Sequence, residues 1–258
     1  MELPTLSPNK SIILNFYRRT VGQGDLDFAE QVVADDYIQH SPGLKPGKAG
    51  LMEALAFMKQ MPKPSNPAKS FLRLIEEGDY VVTNLCFEWG GRQTAVVDIF
   101  QFRDGKIAEH WDAVQACPER SLNGNAMMDG STVPEDISLT IANKKVVQAF
   151  YQQFFVDQQW ESLSNYLNPD LIQHHPEIAS GVTGLVAYLQ QNGERLSARK
   201  MHRIIGEGNF VVIQAEGKMD GMPLVFYDIY RLHQGRIVEQ WSVSQSVPDP
   251  MPHPHGML

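Results

Sequence analysis

The stretch GKIAEHWDAVQ, residues 105–115, returns 130 positions later as GRIVEQWSVSQ, residues 235–245. Glycine, a basic residue, isoleucine, glutamate, tryptophan and glutamine recur in place, while His110 becomes Gln240 and Asp112 becomes Ser242. Residues two apart on a strand share a face, so His110 and Asp112 point one way and Trp111 and Ala113 the other. The repeat therefore holds the tryptophan face and releases the opposite one.

The likeness extends in both directions. DIFQFRDGKIAEHW (98–111) answers DIYRLHQGRIVEQW (228–241), and EEGDYVV (76–82) answers GEGNFVV (206–212). Further upstream the offset grows to 134, so the second copy lacks four residues. There DDYIQHSPGLKPGKAGL (35–51) matches PDLIQHHPEIASGVTGL (169–185), and Asn9-Lys10 with Phe16-Tyr17 matches Asn143-Lys144 with Phe150-Tyr151. The tails correspond too, NGNAMM (123–128) with HPHGML (253–258). A repeat of this period means two domains of about 125 residues, each large enough to bury a core of its own. The expected division is 1–128, a linker over 129–142 that contains the polar DGSTVPEDIS, and 143–258.

Within one copy, apolar residues at Ile13, Phe16, Tyr17, Thr20 and Val21 predict a helix over Lys10–Val21. Phe28–Asp36 reads as a second helix and Gly47–Gln60 as a third. After the proline-rich PKPSNP, β segments are expected at Phe71–Glu76, Tyr80–Trp89, Thr94–Arg103 and Lys106–Gln115, the last two joined by a tight turn at Asp104-Gly105. Helices followed by antiparallel strands predict an α+β fold, a curved sheet with helices on one face and a cone-shaped pocket between.

Composition bounds the function. The chain has 258 residues, 43% apolar and 20% charged, with net charge −8 and no run rich in lysine and arginine. Such a surface argues against nucleic acid and anionic membranes as partners and leaves small molecules. No run approaches the roughly 18 apolar residues of a membrane span. MELPTLSPNK lacks the pattern of an export signal. Cys86 and Cys117 form neither a disulfide framework nor a CxxC motif, so the expectation is a reduced, cytoplasmic protein.

The segments YIQHSP (37–42), VDIF (97–100) and DGKIAEHWD (104–112), with NGNAM (123–127), resemble the polyketide-cyclase branch of the SnoaL-like proteins in the nuclear transport factor 2-like superfamily. The resemblance covers nearly all of the first copy and the skeleton of the second. It implies two tandem cystatin-like cone domains that pair through their sheets as an intramolecular pseudo-dimer; further self-association is left open. It also implies an acidic residue at this end of the domain as general acid/base, closing a carbanion onto a carbonyl.

Asp112 is the candidate base, because a carboxyl in an apolar cone has its pKa raised toward that of the proton it moves. His110 and His40 are its expected hydrogen-bond partners, His110 to an enolate oxygen or to Asp112 itself. Against this stands the reading of ordinary solvated side chains on an exposed face. Tyr37, Asp98, Phe100, His174, Asp228 and Gln240 are expected to line the two pockets. Asp98 recurs as Asp228, including in the copy that lacks Asp112, which favours an architectural role for it. The histidines at 174, 175, 253 and 255 match no ligand spacing, and neither metal nor cofactor is expected. Trp111, Trp241, Phe16, Tyr17, Phe150 and Tyr151 read as core or inter-domain packing.

Two functions fit. One is a cofactor-independent cyclase, aldol-type enzyme or isomerase acting α to a carbonyl of a small apolar substrate, with its reactive pocket in the first copy. The other is a non-catalytic pseudo-dimer that binds a small molecule. Orientation separates them: Asp112 and His110 in a dry interior favour the enzyme.

Overall fold

The computed structural model describes residues 6–61, 71–89, 91–160 and 162–258; the PKPSNP segment lies outside them. Ser7 starts the first helix by accepting the Lys10 N–H at 3.1 Å, with Pro8 in the first turn, so α1 runs Pro8–Asn15. It continues as a π-helical turn, Phe16–Gly22. Asp25 caps α2, Leu26–Val32, by accepting the Phe28 N–H. Here the sequence expectation fails. The helix stops at Val32, and Val33–Gln39 forms strand β1. Val33, Ala34, Tyr37 and Gln39 are buried, and the strand lies parallel to β5, Lys106–Ala116, with Gln39 opposite His110. Pairing with a distant strand overrides the local helical pattern. The third helix, α3, spans Gly47–Gln60 as expected.

Strands β2 (Phe71–Glu77), β3 (Tyr80–Trp89) and β4 (Arg92–Arg103) complete a five-stranded sheet in the order β1-β5-β4-β3-β2. Asp104 and Gly105 both take positive φ, the geometry that closes a two-residue hairpin. The second half repeats the plan. Helix α4 (Thr140–Tyr151) leads into a π-helical turn, Gln152–Val156, and a short 3₁₀ turn, Leu163–Asn165, stands in the place of α2. Strand β6 (Leu167–Gln173), helix α5 (Val182–Asn192) and strands β7 (Lys200–Glu207), β8 (Phe210–Met219), β9 (Met222–His233) and β10 (Arg236–Ser246) follow. The sheet order is β6-β10-β9-β8-β7, and all pairs except β6 with β10 are antiparallel. Among the described residues no helix is long and apolar enough to cross a membrane.

Each sheet buries two faces. In the first half Ile13, Phe16, Ala29, Leu51 and Leu55 from the helices pack on Val81, Phe100, Phe102 and Ile107. The opposite face carries Val82, Val97, Ile99 and Trp111 against Val212, Tyr227, Ile229 and Trp241 of the second sheet in one shared core. Polar contacts across this core come in matched pairs. The Arg73 guanidinium lies 3.9 Å over the Trp241 ring, and that of Arg203 3.8 Å over Trp111. Lys10 pairs with Glu207 and Lys144 with Glu77. The Val114 N–H donates to Gln245 Oε1, and the Ser244 N–H to Gln115 Oε1.

Two glycines at equivalent places, in the first turn of α3 and of α5, let the chain just before each helix pack closely. A Cβ on Gly50 would stand 2.2 Å from the Lys45 carbonyl oxygen, and one on Gly184 2.0 Å from that of Ala179. Both neighbours are backbone and cannot rotate away. Gly50→Ala and Gly184→Ala are each expected to lose about 1–3 kcal/mol by the overpacking mechanism. Urea unfolding checks this; wild-type stability in both variants would mean the turn yields freely.

Candidate functional site

The helix-covered face of the first sheet is where the polar residues converge. Asp98 on β4 pairs in register with Asp112 on β5, and Phe100 with His110, so all four side chains share that face. Asp98 Oδ2 accepts the Tyr17 hydroxyl at 2.7 Å and the Thr83 hydroxyl at 2.8 Å. Asp98 Oδ1 lies 3.0 Å from His110 Nε2. His110 Nδ1 lies 3.0 Å from Gln39 Oε1, and its ring stacks on Phe100 at 4.6 Å.

Proton positions follow from the donors. The Ser41 backbone N–H reaches Gln39 Oε1 at 2.9 Å, and Gln39 Nε2 donates to the Tyr37 hydroxyl at 2.9 Å, which fixes the Gln39 amide. His110 Nδ1 must then donate to that oxygen while Nε2 faces a carboxylate. Both nitrogens therefore carry protons in the favoured state. Burial alone would lower the His110 pKa, but the Asp98 hydrogen bond and charge, with Asp112 behind, carry it above its ordinary value.

Asp112 is buried, and its Oδ1 has no hydrogen-bond partner. Burial pushes its carboxyl up to about 6; His110 draws it down, Asp98 pushes it up and the Ser41 hydroxyl draws it down. Along this row exposure rises from 8% at His110 and 9% at Asp112 to 37% at Val114, so the face opens to solvent just past Asp112. The Tyr37 hydroxyl feels Asp112 as the largest charge influence after burial, and its pKa is raised. Two cavities, of about 340 and 390 Å³, lie elsewhere, beside Trp160 and Leu189 and beside Tyr80, Lys144 and Arg203.

His40 does not join this cluster, contrary to its expected role. It sits on the other face, stacked on Trp111 at 4.9 Å, with Nε2 2.7 Å from Glu109 and Nδ1 3.0 Å from the Gly256 carbonyl. The turn that begins at Gln39 sends successive side chains to opposite sides of the sheet. His174 repeats the arrangement with Trp241, Glu239 and the Ala126 carbonyl, so it too lies at the junction of the sheets and not in the second pocket.

Asp228 occupies the place of Asp98, accepting the Tyr151 hydroxyl at 3.0 Å. Its cation is different. Gln240 cannot supply the charge of His110, and Arg199 Nη1 instead reaches Asp228 at 2.7 Å from β7's entry. Arg199 lies over Phe226 at 3.6 Å, and the adjacent Tyr230 hydroxyl is buried without a partner. Gln240 accepts from Gln173 at 3.2 Å. Sequence reading passed over Arg199, Gln39, Ser41 and Thr83, and placed Tyr17 and Tyr151 in packing alone. Recurrence of Tyr17 as Tyr151 and of Gln39 as Gln173 was the available signal. Among the described residues no group of three or more His, Cys, Asp or Glu side chains is arranged to hold a metal.

The SnoaL-like domain family matches this chain twice, over residues 13–110 and 147–240. The chain belongs to that family. Each matched segment of this SnoaL-like protein runs from inside the first helix of its half to His110 or Gln240 within that half's last strand. No curated protein matches the chain. Similar solved structures include an NTF-2 like protein of unknown function from Burkholderia xenovorans LB400, at 21% identity over 42% of this chain and 83% of that one, TM-score 0.36. Another is a putative ketosteroid isomerase from Kribbella flavida, at 13% identity over 45% and 86%, TM-score 0.39. A third is a putative polyketide cyclase from Acidithiobacillus ferrooxidans, at 20% identity over 45% and 92%, TM-score 0.35. None of the three carries an activity over to this protein.

The titrations of Asp112 and His110 have a measurable consequence for stability. Both groups bind protons more tightly folded than unfolded. The Asp112 carboxyl, at about 6 against 3.8 unfolded, costs stability when ionised, and that cost disappears as pH falls from 6 to below 4. The His110 contribution is complete below 6.5 and is lost as pH rises through its higher folded value. Asp112→Asn is therefore expected to be more stable than wild type at pH 8 by about 1–3 kcal/mol, the gap closing near pH 4. Urea unfolding at the two pH values tests it, and a gap independent of pH would refute the assignment.

Proposed function

We propose that the first half is a cofactor-independent acid–base catalyst acting at a carbon α to a carbonyl of a small apolar substrate. Asp112 takes the α-proton, the electron pair moves onto the carbonyl oxygen, and the Tyr37 hydroxyl donates to the developing oxyanion. In an aldol-type cyclisation the enolate carbon attacks a second carbonyl, and protonated Asp112 returns its proton to the new alkoxide. In an isomerisation the proton returns at another carbon. His110 has both nitrogens engaged by Gln39 and Asp98, so its role is to hold a positive charge beside Asp112 and keep part of that carboxyl ionised near neutral pH.

The observation that carries this reading is the buried Asp112 carboxyl with one free oxygen, next to a charged pair and a short way from solvent. The second half offers Ser242 there and ties Asp228 to Arg199, which favours a non-catalytic role for that half as the covalently attached partner of a pseudo-dimer. If the whole protein is a binding module, the same face receives an uncharged ligand without proton transfer.

The test is α-proton exchange in D₂O with a panel of β-diketones and β-keto esters, followed by NMR for wild type, Asp112→Asn and Asp228→Asn. Exchange lost in the Asp112 variant alone supports the reading. Exchange retained there, or absent from wild type throughout the panel, turns it toward a binding module.

A further inference from the structure

The two C-terminal tails cross over, each bonding to the other half. From the first half, the Leu122 N–H donates to the Pro176 carbonyl at 2.8 Å, Asn123 Nδ2 to the carbonyls of His175 and Ile178, and Asn125 Nδ2 to that of Gln173. From the second half, His253 Nε2 lies 3.0 Å from the Ser41 carbonyl, and the Gly256 carbonyl accepts His40 Nδ1. Asn123 and His253 are equivalent in the repeat, as are His175 and Ser41. Different side chains thus make the same bond, which marks the bond as the retained feature. His253 is buried, and its Nε2 must carry the proton because it faces a carbonyl.

What that bond holds is the start of the polar chain. Ser41 accepts His253 on its carbonyl and gives its own N–H to Gln39 Oε1, the oxygen that receives His110 Nδ1. Three bonds in series therefore run from the second half's tail to the imidazole beside Asp112. We propose that this tail is a positioning element for the acid–base cluster of the first half, and that His253 is the residue through which it acts. Through Asn123 the reciprocal contact serves the second half, where His175 gives its N–H to Gln173 and Gln173 donates to Gln240, so the series ends on an amide in the place of His110. The consequence for turnover rests on the acid–base reading above; the coupling itself does not.

The groups facing His110 are Asp98 from β4, Asp112 on its own strand, Tyr37 and Gln39 from β1, and Tyr17 from the π-helical turn by way of Asp98. The experiment is an imidazole ¹H–¹⁵N NMR titration of His110 in the full chain, for wild type, His253→Leu, His253→Asn and Asn123→Leu. Wild type is expected to show both nitrogens protonated at pH 7. In His253→Leu the His110 midpoint should fall by half a unit or more, because the Gln39 acceptor is no longer held. In His253→Asn it should stay at the wild-type value, since an amide makes this bond in the other half. Asn123→Leu should leave it unmoved. An unshifted His253→Leu, a shifted His253→Asn, or an equal shift in Asn123→Leu each overturns the proposal. Should the leucine variant not fold, His253→Ala, which also removes the donor to the Ser41 carbonyl, takes its place with the same expectation. These readings need no substrate, so a failure of α-proton exchange with the coupling intact would sink the acid–base reading and leave the tail's role standing.

Discussion

Asp112→Asn is expected to lower the rate of α-proton exchange at least 100-fold, within the ~10²–10⁴ range that a positioned general base supplies. The amide fills the same volume and leaves the Asp98–His110–Gln39 chain in place, so the loss reports chemistry more than structure. The wild-type pH profile carries a second signature. A base with a pKa of about 6 gives a rate that climbs through pH 6 and levels above it, because only the ionised carboxyl accepts the proton. A solvated aspartate near 3.8 would give a flat profile over the same range. A falling limb should follow at higher pH, where His110 loses the charge that Asp98 helps it keep. A variant within a few fold of wild type, or a profile flat between pH 5 and 7, would leave Asp112 a bystander.

The duplicated strand made most of the architecture legible, because strand periodicity is strict and a repeat supplies an internal control. Tyr80–Trp89 and Gly47–Gln60 end where expected, and the tryptophan face does form the core between the sheets. β1 was missed for a physical reason. Val33–Gln39 is held by β5, about seventy residues away, and neither its length nor its alternation distinguishes it from the end of a short helix. Parallel partners joined through most of a domain leave little local trace.

Of the candidate site, the sequence made legible which side chains share a strand face and much less of what surrounds them. Asp98, His110 and Asp112 follow from a period of two on adjoining strands. His40 does not, since the side of the sheet taken by a residue in a turn depends on backbone geometry that a following proline only partly fixes. Arg199 was hidden differently. It lies on no repeat-equivalent acid–base position, and its partnership with Asp228 spans three strands. The loss of His110 to Gln240 leaves a buried carboxylate without a cation, and such a carboxylate needs one. That requirement, applied to the sequence, is the signal that would have prompted a search for Arg199.

Trp241→Ala is expected to destabilise the chain by about 4–5 kcal/mol, and Trp111→Ala by about 1 kcal/mol less. Both rings are fully buried between the sheets, each with a histidine on one side and a guanidinium on the other. Only Trp241 also donates a hydrogen bond, from Nε1 to the Asp129 carbonyl at 2.7 Å; Trp111 Nε1 has no partner. Truncating Trp241 moreover strands Arg73. That side chain is 1% exposed, and burial has already lowered its pKa to about 10. It keeps Asn84 and the Asp129 carbonyl but loses the ring face beneath it. Because the core is common to both sheets, the loss should appear as one earlier transition in urea, followed alike by probes in the two halves. Equal costs for the two tryptophans would show that the Asp129 hydrogen bond and the Arg73 contact add nothing, and two separated transitions would show that the halves stand independently and that the duplication's retained face stabilises neither through the other.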